Sequence, residues 1–484
     1  MNLQNNSLWR QACYINGKWI PAGENGVAVT NPVDDSIIGY VPRLGEEETA
    51  QAVAAARAAW PAWRDTPAKD RGAILRRWKD LILANIDELA QILTTEQGKP
   101  LAEAKGEIMG GAGFIDWSSE ECRRTYGETI PSPWPNSQPI VIKQSVGVAA
   151  AITPWNFPFA LVCRKSGPAM GAGCPVIVKP ASATPYVAIA LAVLAEKAGV
   201  PAGVYNVVTG ESGKIGKVLT KHPDVRAFSF TGSTAVGKRL LGECASTVKK
   251  VALELGGNAP FIVYDDADLE LAATQAHSGK ARNAGQICVA PNRFFVQKGI
   301  HDAFVKRVVE LSASVVLGDG SKPGVTQGPL IDRAAVEHMT ALVADAVEKG
   351  ARVLVGGKED PAGRNFFQYT ILDGVTPEMR VFREEIFGPI MPIITFSTEE
   401  EVIAMGNDTE YGLAAYLYSR DIGRCWRTAA AIESGIVGVN EAAVGTGEVP
   451  FGGMKESGLG REGGTEGLNE FMETKYILLG SLNR

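Results

Sequence analysis

Cys288 lies in the run Arg282-Asn283-Ala284-Gly285-Gln286-Ile287-Cys288, and Glu254 stands upstream in Glu254-Leu255-Gly256-Gly257. A cysteine supplies a soft nucleophile, a carboxylate can take a proton, and small neighbouring residues let a ligand approach the backbone. Asn156, in Pro154-Trp155-Asn156-Phe157-Pro158, adds a side-chain amide able to donate to a developing oxyanion. The three describe covalent catalysis. The attacking species must be the thiolate, because a free thiol with a pKa of about 8.5 is mostly protonated at neutral pH. Cys13, Cys122, Cys163, Cys174, Cys244 and Cys425 read as inert buried residues.

A chain of 484 residues exceeds what one hydrophobic core usually serves, so two large domains are expected. A hydrophobic content of 45% with 21% charged residues is that of an ordinary soluble globular protein. The net charge of -6 and the lack of a basic stripe argue against a nucleic-acid partner. The seven cysteines show no CxxC spacing and the four histidines no HExxH, so neither a metal site nor a disulfide framework is expected. Met1-Asn2-Leu3-Gln4-Asn5-Asn6 has no basic or apolar signal region, and the apolar stretch Val146 to Ile152 is too short to span a bilayer. The expectation is a cytoplasmic protein without a membrane partner.

The elements that must hold these residues follow from periodicity. Ile74, Leu75, Trp78, Leu81, Ile82, Ile86, Leu89 and Ile92 recur at helical spacing, predicting one long helix over 68–96 that stops at Gly98-Lys99-Pro100. From Val146 the chain alternates short apolar runs with helical segments. Strands are predicted at Val176-Ile177-Val178, Val204 to Val208 and Ala227 to Phe230, with helices at Val187 to Lys197 and from Ser233. A second series of strands follows near 261–263, 294–296, 353–355, 393–396, 413–418 and 436–439. This alternation predicts parallel, doubly wound sheets.

Two glycine-bearing segments and one strand end are candidates for holding a ligand. Gly171-Ala172-Gly173 precedes a strand instead of following one, so it reads as a turn and not as a dinucleotide fingerprint. Gly232-Ser233-Thr234-Ala235-Val236-Gly237-Lys238-Arg239 follows a strand and opens a helix. It nearly matches a nucleotide-binding P-loop, but Arg239 stands where a hydroxyl must hold magnesium, so an ATPase reading fails. The free N–H groups and the positive dipole end at Ser233 still favour an anion. Lys179-Pro180-Ala181-Ser182 ends a predicted strand, where ligands of open α/β sheets collect.

Taken in order, the Asn156, Glu254 and Cys288 segments resemble those of the NAD(P)-dependent aldehyde dehydrogenase superfamily. The resemblance runs from Tyr14-Ile15-Asn16-Gly17-Lys18-Trp19 to Pro450-Phe451-Gly452-Gly453-Met454-Lys455. It implies an α/β aldehyde dehydrogenase fold: a Rossmann-like cofactor domain over 1–126 and 146–255, a catalytic domain over 256–455, and a small β oligomerisation segment over 127–145 and 470–484. It also implies a homodimer or homotetramer, in which the terminal strand from Phe471 to Leu479 pairs across subunits.

The same resemblance assigns roles. Cys288 attacks the aldehyde, Asn156 and the Cys288 N–H hold the oxyanion, and Glu254 is the base that hydrolyses the thioester. Lys165 and Glu462 match positions that relay the proton outward, unless they are ordinary structural charges. Glu254 argues for release of a free acid over transfer to coenzyme A. Gly232 and Ser233 approach the cofactor pyrophosphate, Lys179 the ribose, and Glu385 and Phe387, in Glu385-Ile386-Phe387-Gly388-Pro389, the nicotinamide half. Trp155, Gly216 and Leu255 complete the cofactor set. NAD-restricted members often carry an acidic residue where Ser182 stands, so its serine favours NADP over NAD.

Arg164 and Arg282 match the substrate arginines of succinate-semialdehyde dehydrogenases, whose guanidinium forks suit a terminal carboxylate. Two departures accompany this match. Gly445 replaces a frequent serine, leaving Thr446 as the nearby hydroxyl, and Ala290 replaces a frequent second cysteine. Glutarate and 2-oxoglutarate semialdehydes remain alternative substrates. The rivals are a neutral-aldehyde dehydrogenase and a non-catalytic binding protein of the same fold.

Overall fold

Short apolar runs that are covered on both faces become parallel strands. In the computed structural model, which describes residues 3–482, the first series forms the middle of an eight-stranded sheet. The outermost residues of the expected 1–126 and 470–484 segments lie outside the described residues. Five parallel strands lie in the order Tyr205–Val207, Val176–Lys179, Val148–Ile152, Val225–Thr231, Lys250–Glu254. Antiparallel edges are added by Ala12–Ile15 with Lys18–Pro21, and by Gly458–Leu459. Alternate residues feed two cores: Ala149, Ala151, Val176 and Val178 pack on one face, and Val148, Ala150, Ile177 and Phe228 on the other.

Beginning with Val148–Ile152, the chain adds strands in one direction and then returns to place Val225–Thr231 on the opposite side. The crevice beyond Ile152 and Thr231 is therefore a topological switch point, where open α/β sheets bind ligands. Trp155 and Asn156 follow the first of these strands, and Gly232 and Ser233 follow the second.

The seven-stranded second sheet runs Arg352–Val355, Thr370–Asp373, Ile390–Phe396, Arg293–Gln297, Pro260–Val263, Ala414–Tyr418, Ile436–Val439. All its pairings are parallel except that between Arg352–Val355 and Thr370–Asp373. Both faces are again buried, with Ile262, Phe295 and Leu417 on one and Phe261, Val296 and Tyr418 on the other. The chain passes from the carboxyl end of the first sheet at Glu254 to the amino end of the second at Pro260, and Cys288 lies just before Arg293–Gln297. The reactive residues thus gather between the sheets.

The structure departs from the sequence pattern in two places. The single helix over 68–96 is two helices, Ala68–Ala84 and Ile86–Gln97. At the break, Asn85 Nδ2 donates to the Leu81 carbonyl at 2.7 Å, an asparagine competing locally with the helix ladder. Gly98 then stops the second helix in a left-handed conformation, φ +93°. The strand Thr370–Asp373 escaped the pattern, although its four residues are all buried. The terminal strand Met472–Leu479 joins the segment over 127–145, antiparallel to Gln138–Ser145 from Met472↔Ser145 to Leu479↔Gln138, and its other edge is unpaired among the described residues. No helix among the described residues is long and apolar enough to cross a membrane.

Candidate active site

Two cavities meet at Cys288 and Asn156. One, of about 230 Å³, opens at the switch point and is also lined by Trp155, Gly232, Ser233, Leu255, Glu385 and Phe387. The other, of about 240 Å³, contains Arg164, Arg282 and Thr446 on the opposite side of the same pair. A third, of about 330 Å³, is lined by Lys179 and Gly216. Ser182 does not line it, but its Oγ lies 3.3 Å from the Oγ of Ser212, which does.

The turn that presents Cys288 is built from unusual backbone. Asn283 (φ +47°) and Ala284 (φ +52°) both adopt left-handed conformations, which cost an alanine about 1–2 kcal/mol. Side chains impose this shape. Asn283 Nδ2 donates to the carbonyls of Asn156 at 3.1 Å and Gln286 at 3.2 Å, while Gln286 Nε2 returns a bond to the Asn283 carbonyl at 3.0 Å. A Cβ on Gly285 would sit 2.1 Å from the Gly388 carbonyl oxygen, and one on Gly257 2.7 Å from the Cys288 carbonyl oxygen. Glycine at 257 thus makes room for the nucleophile's backbone, where the sequence suggested room for a ligand.

Cys288 is partly exposed, unlike the six other cysteines, which are buried. Burial pushes its thiol up to about 12, with Arg164 opposing the shift and Glu254 adding to it. Burial thus favours the thiol over the expected thiolate. Asn156 Nδ2 spends one N–H on the Gln286 carbonyl at 3.0 Å, leaving its second N–H for an oxyanion.

Glu254 ends the Lys250–Glu254 strand with both carboxylate oxygens buried and without a hydrogen-bond partner. Burial, and then the charge of Glu462, hold it well above the ordinary carboxylate range. Burial thus favours the protonated acid over a fixed anion. Glu462 is tied to Lys165 Nζ at 2.5 Å and to Arg164 Nη1 at 3.5 Å, and Lys165 also donates to Ser229 Oγ at 2.8 Å. The expected relay pair is thus in contact and acts electrostatically on Glu254.

Arg164 is stacked between Phe114 and Phe451, its guanidinium carbon 4.6 Å and 4.0 Å from their ring centroids. Its Nε has no partner. Arg282 lies 5.4 Å from the Phe157 ring centroid and faces the same cavity. A Cβ on Gly445 would come no closer than 4.0 Å to Arg164, so the glycine leaves this end of the cavity open.

On the switch-point side, Trp155 and Phe387 meet edge to face at 5.5 Å. Glu385 Oε1 accepts from the Gly257 N–H at 3.0 Å, and burial pushes its carboxyl up to about 7. A Cβ on Gly256 would stand 2.8 Å from Glu385 Oε2, closing the cradle that the glycine leaves open. Aromatic rings, a carboxylate and bare backbone suit a dinucleotide's nicotinamide half. In the third cavity, Lys179 is joined by Lys217 and Arg239. Burial lowers Lys179 to about 8. In the sequence Arg239 stands out only as a misplaced P-loop residue, and no motif marks Lys217. The aromatic rings around the arginines are likewise unmarked, Phe157, inside the Asn156 motif, being the available signal.

The model of the aldehyde dehydrogenase family matches residues 19–477. The chain is 52% identical to a glutarate-semialdehyde dehydrogenase of Pseudomonas aeruginosa, over 100% of both chains. It is 53% identical to the succinate-semialdehyde dehydrogenase [NADP(+)] GabD of Escherichia coli, over 99% of this chain and 100% of that one. The crystal structure of an E. coli NADP-dependent enzyme superposes with a TM-score of 0.97 at 52% identity, covering 99% of each chain.

Proposed function

This chain belongs to the aldehyde dehydrogenase family, and from that premise we propose that it oxidises an aldehyde bearing a terminal carboxylate, succinate semialdehyde first among candidates, to the dicarboxylic acid. The observation that carries this reading is the shared cavity of Arg164, Arg282 and Cys288. Two guanidinium groups fix the carboxylate end and leave the aldehyde carbon at the thiol.

Cys288 Sγ, its proton passed to water in the adjoining cavity, adds to that carbon, giving a thiohemiacetal whose oxyanion accepts from Asn156 Nδ2 and the Cys288 N–H. One such donor contributes on the order of 3 kcal/mol to the barrier. A nicotinamide held in the switch-point cavity would supply the hydride acceptor for oxidation of this adduct to the thioester. Trp155, Gly232, Ser233, Leu255, Glu385 and Phe387 would hold it, with Lys179, Ser182 and Gly216 toward the adenosine end. Glu254 then takes a proton from water, which attacks the thioester and releases the acid. Lys165 and Glu462 set the charge around that step.

NADP is favoured over NAD. Ser182 brings no carboxylate against a 2′-phosphate, and Lys179, Lys217 and Arg239 supply positive charge beside it. The second reading, a neutral aldehyde, draws on the ion pair of Arg164 with Glu462, which gives that arginine a structural partner. Homo-oligomerisation is supported by the open outer edge of Met472–Leu479, where Tyr476, Leu478 and Leu479 are exposed. Steady-state kinetics on succinate and glutarate semialdehydes and on butanal, with each cofactor, tests the reading. Equal kcat/KM for butanal and succinate semialdehyde would overturn the carboxylate assignment.

A further inference from the structure

The Asn156 turn is gripped from behind by two charged residues to which the reaction above gives no part. Lys99 follows the helix-ending Gly98 and is 2% exposed. Its Nζ donates to Glu107 Oε2 at 2.5 Å and to the carbonyl oxygen of Asn156 at 2.8 Å. The same ammonium lies 4.0 Å from the centroid of the Phe157 ring. The other oxygen of Glu107, Oε1, accepts from the N–H groups of Phe159 at 2.9 Å and Ala160 at 3.1 Å. These open the Ala160–Gly171 helix, which has no side-chain cap of its own. A carboxylate at a helix N-terminus meets both the unpaired N–H groups and the positive end of the dipole.

The grip extends to the nucleophile. The Lys99 N–H donates to Gln97 Oε1 at 3.0 Å, and Gln97 Nε2 to Asn283 Oδ1 at 2.9 Å. Asn283 Nδ2 completes the circuit on the Asn156 carbonyl at 3.1 Å. One carbonyl thus receives two donors, one from Lys99 and one from the strained turn before Cys288. A pair this deeply buried is weak evidence for stability, since apolar residues of similar volume often serve as well. What it fixes is the position of Asn156 relative to Cys288.

We infer that Lys99 and Glu107 are positioning residues for the oxyanion site: they set the Asn156 peptide and the start of the following helix so that the Asn156 amide faces the developing oxyanion. The inference rests on the proposed role of Asn156. It excludes direct contact of Lys99 with substrate, since its Nζ is engaged by Glu107 and Asn156 and it does not line the substrate cavity.

The test is the double variant Lys99→Met/Glu107→Gln in the full chain, which removes both charges and keeps an oxygen to accept from Phe159 and Ala160. The rapid burst of reduced cofactor should slow by roughly 10–100-fold, the size of effect that a misplacement of about 1 Å produces. The cofactor dissociation constant should stay within about twofold, because neither residue lines the switch-point cavity, and KM for the semialdehyde should move less than the burst rate even though Glu107 borders the substrate cavity. In an Asn156→Ala background the same pair of changes should cost less than about threefold more, because residues acting as a unit are not additive. If the double variant does not fold, Glu107→Gln alone serves, with a burst slowed at least about fivefold. An unchanged burst rate in a folded variant, or an undiminished loss in the Asn156→Ala background, would overturn the inference while leaving the proposed function standing. No burst from the unmutated enzyme with any ω-carboxylate aldehyde would sink the function, and the positioning claim with it.

Discussion

Replacing Glu254 by Gln should make the protein more stable and less active at once. Both carboxylate oxygens are buried without a partner, and burial with Glu462 raises the group well above its ordinary range. The sign of the stability effect follows. Between the unfolded carboxyl pKa of about 4.3 and the raised folded value, the unfolded chain is ionised while the folded chain must hold the proton. The wild-type protein therefore loses stability as pH rises through that window, and above it pays the full difference. Glu254→Gln is neutral throughout and removes this loss. At pH 8 the variant should melt higher than the wild type, because it no longer buries a charge, and the difference should vanish near pH 4. Catalysis moves the other way. With no base to deprotonate water, turnover should fall by about 10²–10⁴, while a burst of close to one reduced cofactor per active site survives. Wild-type turnover should climb with pH as Glu254 ionises, and the variant should lose that climb. Stopped-flow absorbance at 340 nm, with thermal melts at pH 5 and pH 8, reads both effects. Loss of the burst would show that Glu254 acts before the thioester, on the proton of the Cys288 thiol. A variant no more stable at pH 8 than wild type would refute the view that its carboxylate is orphaned.

Cys288→Ala should abolish oxidation yet bind cofactor as wild type does, measured by turnover and by fluorescence titration, because no other exposed thiol lines the cavity. Arg164→Met and Arg282→Met should each raise KM for succinate semialdehyde by roughly 30-fold, about 2 kcal/mol, with butanal changed less than about threefold; parallel losses would make the arginines structural. Ser182→Glu should weaken NADP far more than NAD in equilibrium titrations, and equal weakening would place Ser182 away from the 2′-phosphate. NADP affinity in the wild type should fall above about pH 8, where Lys179 gives up its charge, with NAD affected less.

The division between what the sequence disclosed and what it concealed follows interaction range. Strands such as Val176–Lys179 and Pro260–Val263 are buried on both faces, so their local composition already states their environment. Cys288, Asn156 and Glu254 were legible because the segments around them, taken in order, resemble those of a known family. The Asn85 break was hidden because it turns on one side chain choosing the Leu81 carbonyl over solvent, against an unbroken apolar period on either side. Lys99 was read only as part of a helix stop, because its partners Glu107 and Asn156 lie on other elements, the latter 57 residues away. The protonation state of Cys288 is the clearest case. No spacing in the chain announces that the thiol is held up to about 12, because that follows from burial between two sheets and from Glu254 and Arg164 converging from elsewhere. A nucleophile that rests protonated is protected from oxidation and adventitious attack, since the thiolate is the reactive form. With Cys288 as the proposed nucleophile, the two cavities that meet at it bring both ligands beside the thiol whose proton must leave.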